Sequence, residues 1–119
     1  MKVNFNVAFK NFDGSDITEP YEVVEKKIVD GKDMEVTKTD YRPKMISVMV
    51  ASVLFIGKEC KTVEEKMTAF NLSQRIYKAK GAIEISPEDA VLIKRLTAES
   101  LIAGAYAQVA NLVEDNIKK

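Results

Sequence analysis

Two helix starts constrain this chain more than any other feature. Thr62-Val63-Glu64-Glu65 has the capping-box pattern, in which the Thr hydroxyl and the Glu65 carboxylate each satisfy an orphan amide of the first turn. Ser86-Pro87-Glu88-Asp89 repeats the logic more strongly, with Pro87 at the first helical position and Asp89 at the third. A helix is therefore expected from Val63, with a stripe through Val63, Met67, Ala69, Phe70, Ile76 and Tyr77, basic residues in its last turn and Gly81 just beyond. After Ser86, apolar residues recur from Val91, Leu92, Ile93 and Leu96 through Leu101, Ile102, Ala105 and Tyr106 to Val109, Leu112 and Val113. The helical period thus persists to the end, with Thr97 to Ser100 as the point of interruption to watch.

The first third reads differently. Val3, Phe5, Val7 and Phe9 alternate with polar residues, the period of a half-buried strand. Asn11-Phe12-Asp13-Gly14 supplies a turn, and the stretch Tyr21 to Thr39 places two β-prone segments around Asp30-Gly31, a hairpin signal with its tip near Gly31. Pro43 blocks continuation of a ladder and pre-sets φ for a first helical turn, so the apolar run Met45 to Ile56 is expected to be helix. Its β-branched Ile46, Val48, Val50 and Val53 argue for strand instead. Ala82 to Ile85 alternates and is a candidate edge strand. The expected fold is α+β, with N-terminal antiparallel strands and a hairpin followed by about three helices. One domain, 1–119, is expected, β-rich over 1–41 and mainly helical over 44–117, since no linker or repeat divides it.

Function is narrowed mostly by exclusion. The chain has no histidine, which removes the serine and cysteine triads, the common zinc enzymes and the usual neutral-pH base. Cys60 is the only cysteine, so no disulfide forms within the chain and no imidazole activates the thiol. Asp13-Gly14-Ser15-Asp16 looks like the start of a calcium loop, but the twelfth position is Val24 where a bidentate Glu is needed. Gly31-Lys32 lacks the rest of a phosphate-binding loop. No catalytic residue, cofactor, metal or small-molecule substrate is expected. The run Met45 to Ile56 spans twelve positions, well short of the roughly 20 a membrane-crossing helix requires. The N-terminus carries no secretion pattern, and a cytoplasmic setting is expected.

Two features remain. Net charge is zero but segregated: residues 1–41 hold six Lys and nine acids, 42–80 eight basic and three acidic residues, and the remainder four basic and six acidic. Lys66, Arg75, Lys78 and Lys80 form a candidate basic patch, and such a patch serves either nucleic-acid phosphates or a protein partner. The last helix is rich in small residues, of which Ala103, Gly104, Ala107 and Ala110 are candidate contact positions. Small side chains there permit either tight helix crossing within the domain or close approach of another chain.

The order of NFDG, a polar hairpin, an apolar element after RPK, then TVEEKMTAFNLSQRIYKAKGAIEISPEDAVLIKRL resembles small bacteriophage and prophage proteins. The resemblance covers most of the chain and implies an accessory or assembly role, with no residue-level role attached. The expected function is a non-enzymatic, phage-type protein acting through protein contacts, self-associating or binding a phage or host protein. The alternative is a small nucleic-acid-associated factor using the basic segment 42–80.

Overall fold

A computed structural model describes the backbone of residues 1–117, and side chains to Glu114; residues 118–119 of the expected domain lie outside the described residues. In chain order the elements are β1 (Lys2–Val3), β2 (Thr18–Val29), β3 (Lys32–Pro43), α1 (Ile46–Ile56), α2 (Val63–Lys78), β4 (Ile83–Glu84), α3 (Pro87–Ser100) and α4 (Ala103–Ile117). The class is α+β, with an antiparallel hairpin followed by four helices.

The N-terminal segment keeps its alternating burial, with Val3, Phe5 and Phe9 in the core, but only Lys2–Val3 forms a ladder, against Ile83–Glu84. The strand stops because Asn4 competes for the backbone. Its side-chain oxygen accepts the Asn6 amide at 2.9 Å, and Val7 N–H then closes back on Phe5 O at 2.8 Å. Beyond this kink the chain fastens the hairpin's foot: Ile17 N–H donates to Phe9 O, Phe9 N–H to Lys44 O and Ile46 N–H to Val7 O, at 2.8 to 2.9 Å. Pro43 is the last residue of β3, and the helix begins three residues later at Ile46. Pro43 therefore ends a strand and does not start a helix. The apolar run after it is α1, closed by Gly57 in the left-handed region (φ 55°) with its amide on Val53 O.

Thr62 caps α2 as expected, accepting the Glu65 amide at 3.1 Å. The Glu65 carboxylate, however, takes the amide of Lys61, at 2.9 Å, and the Arg95 guanidinium, at 2.7 Å. Ser86 and Asp89 form the full reciprocal box at 3.0 Å each way. The helical stretch after Ser86, with its interruption in question at Thr97 to Ser100, is two helices that part just beyond Ser100. α3 closes with Leu101 N–H on Thr97 O at 2.9 Å, and Leu101 is extended (φ −108°, ψ 148°). The buried Thr97 hydroxyl donates to Ile93 O at 2.6 Å, a back-bond that weakens the end of a helix. The break lets half-buried Leu101 face the core and turns α4 back so that Val109 and Val113 are buried, with α4 against α3 and β1.

The core lies between α1, α2, α3, α4 and the N-terminal segment, around Phe9, Val50, Leu54, Leu72, Ile76, Ile93 and Leu96. No described buried side-chain polar atom lacks a partner. The hairpin contributes nothing to this core.

Candidate functional site

β2 and β3 pair along twelve residues each, from Thr18 opposite Pro43 to Val29 opposite Lys32. The two-residue turn needs positive φ at both positions, and Asp30 (53°) and Gly31 (76°) supply it. Twelve strand residues reach about 40 Å. No residue of either strand is buried, and every residue of β3 is exposed. The protein therefore has a helical body with a projecting arm. Its radius of gyration is 17.9 Å and its longest extent 61 Å, where a compact chain of this length would have a radius of about 13.5 Å.

One side of the arm is held by cross-strand pairs. Lys38 meets Glu25 at 2.6 Å, Arg42 meets Glu19 at 3.1 Å, and the Arg42 guanidinium lies 5.0 Å from the Tyr21 ring centroid. The Lys38 hydrogen bond pulls the Glu25 carboxyl below its ordinary range, and Lys38 is raised in return. Val24, Ile28 and Tyr41 stand on the opposite side, more than half exposed.

Each strand also has an open outer edge. A two-residue turn makes Val29 and Lys32 a hydrogen-bonded pair, so alternation along the ladder points the amides of Asp33, Glu35, Thr37, Thr39 and Tyr41 outward from β3. Tyr41 N–H is already taken by its neighbour's Asp40 Oδ1 at 2.8 Å. On β2 the outward positions run from Thr18 to Ile28, and Pro20 has no amide to offer. Each edge thus presents four consecutive unpaired donors, Asp33, Glu35, Thr37 and Thr39 on β3 and Glu22, Val24, Lys26 and Ile28 on β2.

A second surface was hidden by the sequence pattern. The expected stripe of α2 is not the buried one. Ala69, Leu72, Ser73 and Ile76 face the core, and of the expected set Val63, Met67, Phe70 and Tyr77 are exposed. Together with Val48 and Phe55 of α1 they form an apolar face, Phe55 and Phe70 touching with ring centroids 6.0 Å apart. A third feature is an open hollow of about 460 Å³ at the arm's foot, between Phe9, Phe12, Ile17 and Met49 and the α3–α4 junction at Leu101 and Ile102.

The residues singled out in the sequence fall as follows. Ala103, Gly104 and Ala107 are exposed at the start of α4 and Ala110 is buried. A methyl on Gly104 would meet nothing within 4 Å, so packing within the chain does not require a glycine there. Lys66, Arg75, Lys78 and Lys80 are all exposed but do not converge. Nine residues of helix set Lys66 about 180° round from Arg75, and the Arg75 guanidinium is engaged by Glu84 O. Cys60 is half-buried beside Gly57. Asp13 accepts from the Ser15 amide and hydroxyl, a self-contained turn that lowers its own carboxyl pKa.

Among the described residues no cluster of three or more potential metal ligands occurs, and no helix is long and apolar enough to cross a membrane. Comparison with family models, curated proteins and solved structures finds no match to this chain.

Proposed function

We propose that this chain is a non-enzymatic, self-associating subunit of the phage accessory or assembly type, working in the host cytoplasm through protein contacts, with its arm as the main contact element. The arm carries this reading. A two-stranded hairpin is at best marginal in water on its own, yet this one buries none of its strand residues and displays Val24, Ile28, Met34 and Tyr41 to solvent. Open edges and exposed apolar side chains on such an arm are stabilised when another chain covers them. The apolar face of α1 and α2 offers a further contact surface of the same character.

Sedimentation velocity at micromolar concentration tests this, comparing the native chain with one whose residues 22–39 are replaced by Asn-Gly. That exchange leaves Tyr21 and Asp40 as a hydrogen-bonded pair flanking a two-residue turn, so the foot of the arm is preserved. The native chain is expected to sediment as a dimer or larger and the shortened one to fall to a lower state with unchanged helical circular dichroism. Identical, monomeric behaviour of the two would refute the proposal.

A further inference from the structure

Building on this self-association reading, we infer that two copies join edge to edge through β3, antiparallel about a two-fold axis at Val36, to make a four-stranded sheet from two arms. The charges select the edge: the self-paired register that uses all four free amides of β2, those of Glu22, Val24, Lys26 and Ile28, opposes Glu25 to itself, whereas the one that uses Asp33, Glu35, Thr37 and Thr39 of β3 centres on Val36.

The same donors and the charges select the register. Two-fold antiparallel pairing must place a residue opposite itself, and centring on Val36 sets Asp33 against Thr39 and Glu35 against Thr37 of the second copy. Every free outward amide is then used, and Tyr41, already bonded to Asp40, is left outside. Lys32 comes opposite Asp40, Met34 opposite Lys38, and Val36 opposite Val36, with no like charges facing. Neighbouring registers fail. Centring on Glu35 opposes Glu35 to itself and Lys32 to Lys38, centring on Lys38 opposes two lysines, and centring on Thr37 sets Lys32 against Arg42 and calls on the occupied Tyr41 amide. The Val36 register also places the Asp30-Gly31 turn of one copy level with Tyr41 and Arg42 of the other. The arms overlap almost fully, and each tip stops short of the other copy's α1.

Val36 would occupy a non-hydrogen-bonded pair, where Cα atoms lie about 4.5 Å apart, within disulfide range. The test is Val36→Cys, with Cys60→Ser so that only the introduced thiol reports, under mild oxidation, beside sedimentation of the unmodified protein. Val24→Cys on β2 is the control. A dimer cross-linked through position 36 and scarcely through position 24 is expected. Thr37→Pro, which removes one outward amide from each copy and none from the arm's own ladder, should weaken the dimer roughly tenfold or more. Cross-linking through position 24 alone overturns the β3 assignment. An oligomer by sedimentation without a position 36 cross-link overturns the edge and register but leaves self-association standing. A monomer at every concentration overturns this inference and the function it rests on.

Discussion

Gln108 is where a single substitution should report on how the arm is tied to the helices. Its side chain pairs with the backbone of Lys10 as another strand would: Lys10 N–H donates to Oε1 at 2.7 Å, and Nε2 donates to Lys10 O at 2.9 Å. The link spans 98 residues of sequence and joins α4 to the segment that holds Ile17 and Lys44 at the arm's foot. Each such bond contributes about 0.5 to 1.5 kcal/mol net, and Lys10 is exposed, so water replaces part of what is lost. Gln108→Ala should therefore cost about 1 kcal/mol. For a chain of this length that is a fall of roughly 3 to 6 °C in the unfolding midpoint. Gln108→Glu keeps the acceptor for the Lys10 amide but turns a carboxylate toward Lys10 O, and it should cost more than alanine at neutral pH. Thermal melts followed by circular dichroism, with urea titration to place the change in free energy, give the measurement. If the glutamate variant is as stable as the native chain, the paired-amide geometry is not what anchors this segment.

Two further outcomes follow from the same structure. Gly104→Ala should raise the stability of the monomeric fold by about 0.5 to 1 kcal/mol, because a helical glycine is replaced where its methyl meets nothing; a lower urea midpoint would show that another surface closes on Gly104. Acidification should destabilise the fold. The carboxyls of Glu25 beside Lys38, Glu65 beside the Lys61 amide and Arg95, and Glu84 beside the N-terminal ammonium are all held below their ordinary range. Groups depressed in the folded state contribute stability that is complete above their unfolded values, near pH 4.3, and is lost as pH falls through the folded ones. The unfolding midpoint should stay level from neutrality to about pH 5 and drop below about pH 4. A midpoint that holds or rises through that acid range would contradict the assignment.

The parts of the fold written in local chemistry are legible in the sequence. Asp30-Gly31, Gly57, Thr62 and Ser86 each act within a few residues of themselves, and the turn and helix ends fall at or beside them. What escaped depends on partners far along the chain. The strand expected through Val3 and Phe9 meets Asn4's side chain before it meets a second strand, and its anchor is Gln108, 98 residues on from Lys10. The turn between α3 and α4 depends on the buried Thr97 and on Leu101 reaching the core, neither of which marks a helix end in the sequence. The basic set failed for a simpler reason: proximity in sequence along a helix does not put side chains on one side, and Lys66 and Arg75 point apart.

Periodicity misled at α2 in a way that bears on function. Val63, Met67, Phe70 and Tyr77 recur at spacings of four, three and seven, so they share one helical face, and a shared apolar face ordinarily marks the core. The period identifies residues that lie together, however, and says nothing about what lies over them. Here the core takes the adjoining face of Ala69, Leu72, Ser73 and Ile76, and Val63, Met67, Phe70 and Tyr77 are left outside, Phe70 beside Phe55. Val24 and Ile28 of the arm repeat the situation at a strand's period of two. In each place the alternation of a covered surface is present and the cover is not supplied by this chain's own elements. Since exposed apolar surface carries a free-energy cost of about 25 cal/mol per Å², a partner that covers the arm or the α2 face gains stability that the isolated fold forgoes.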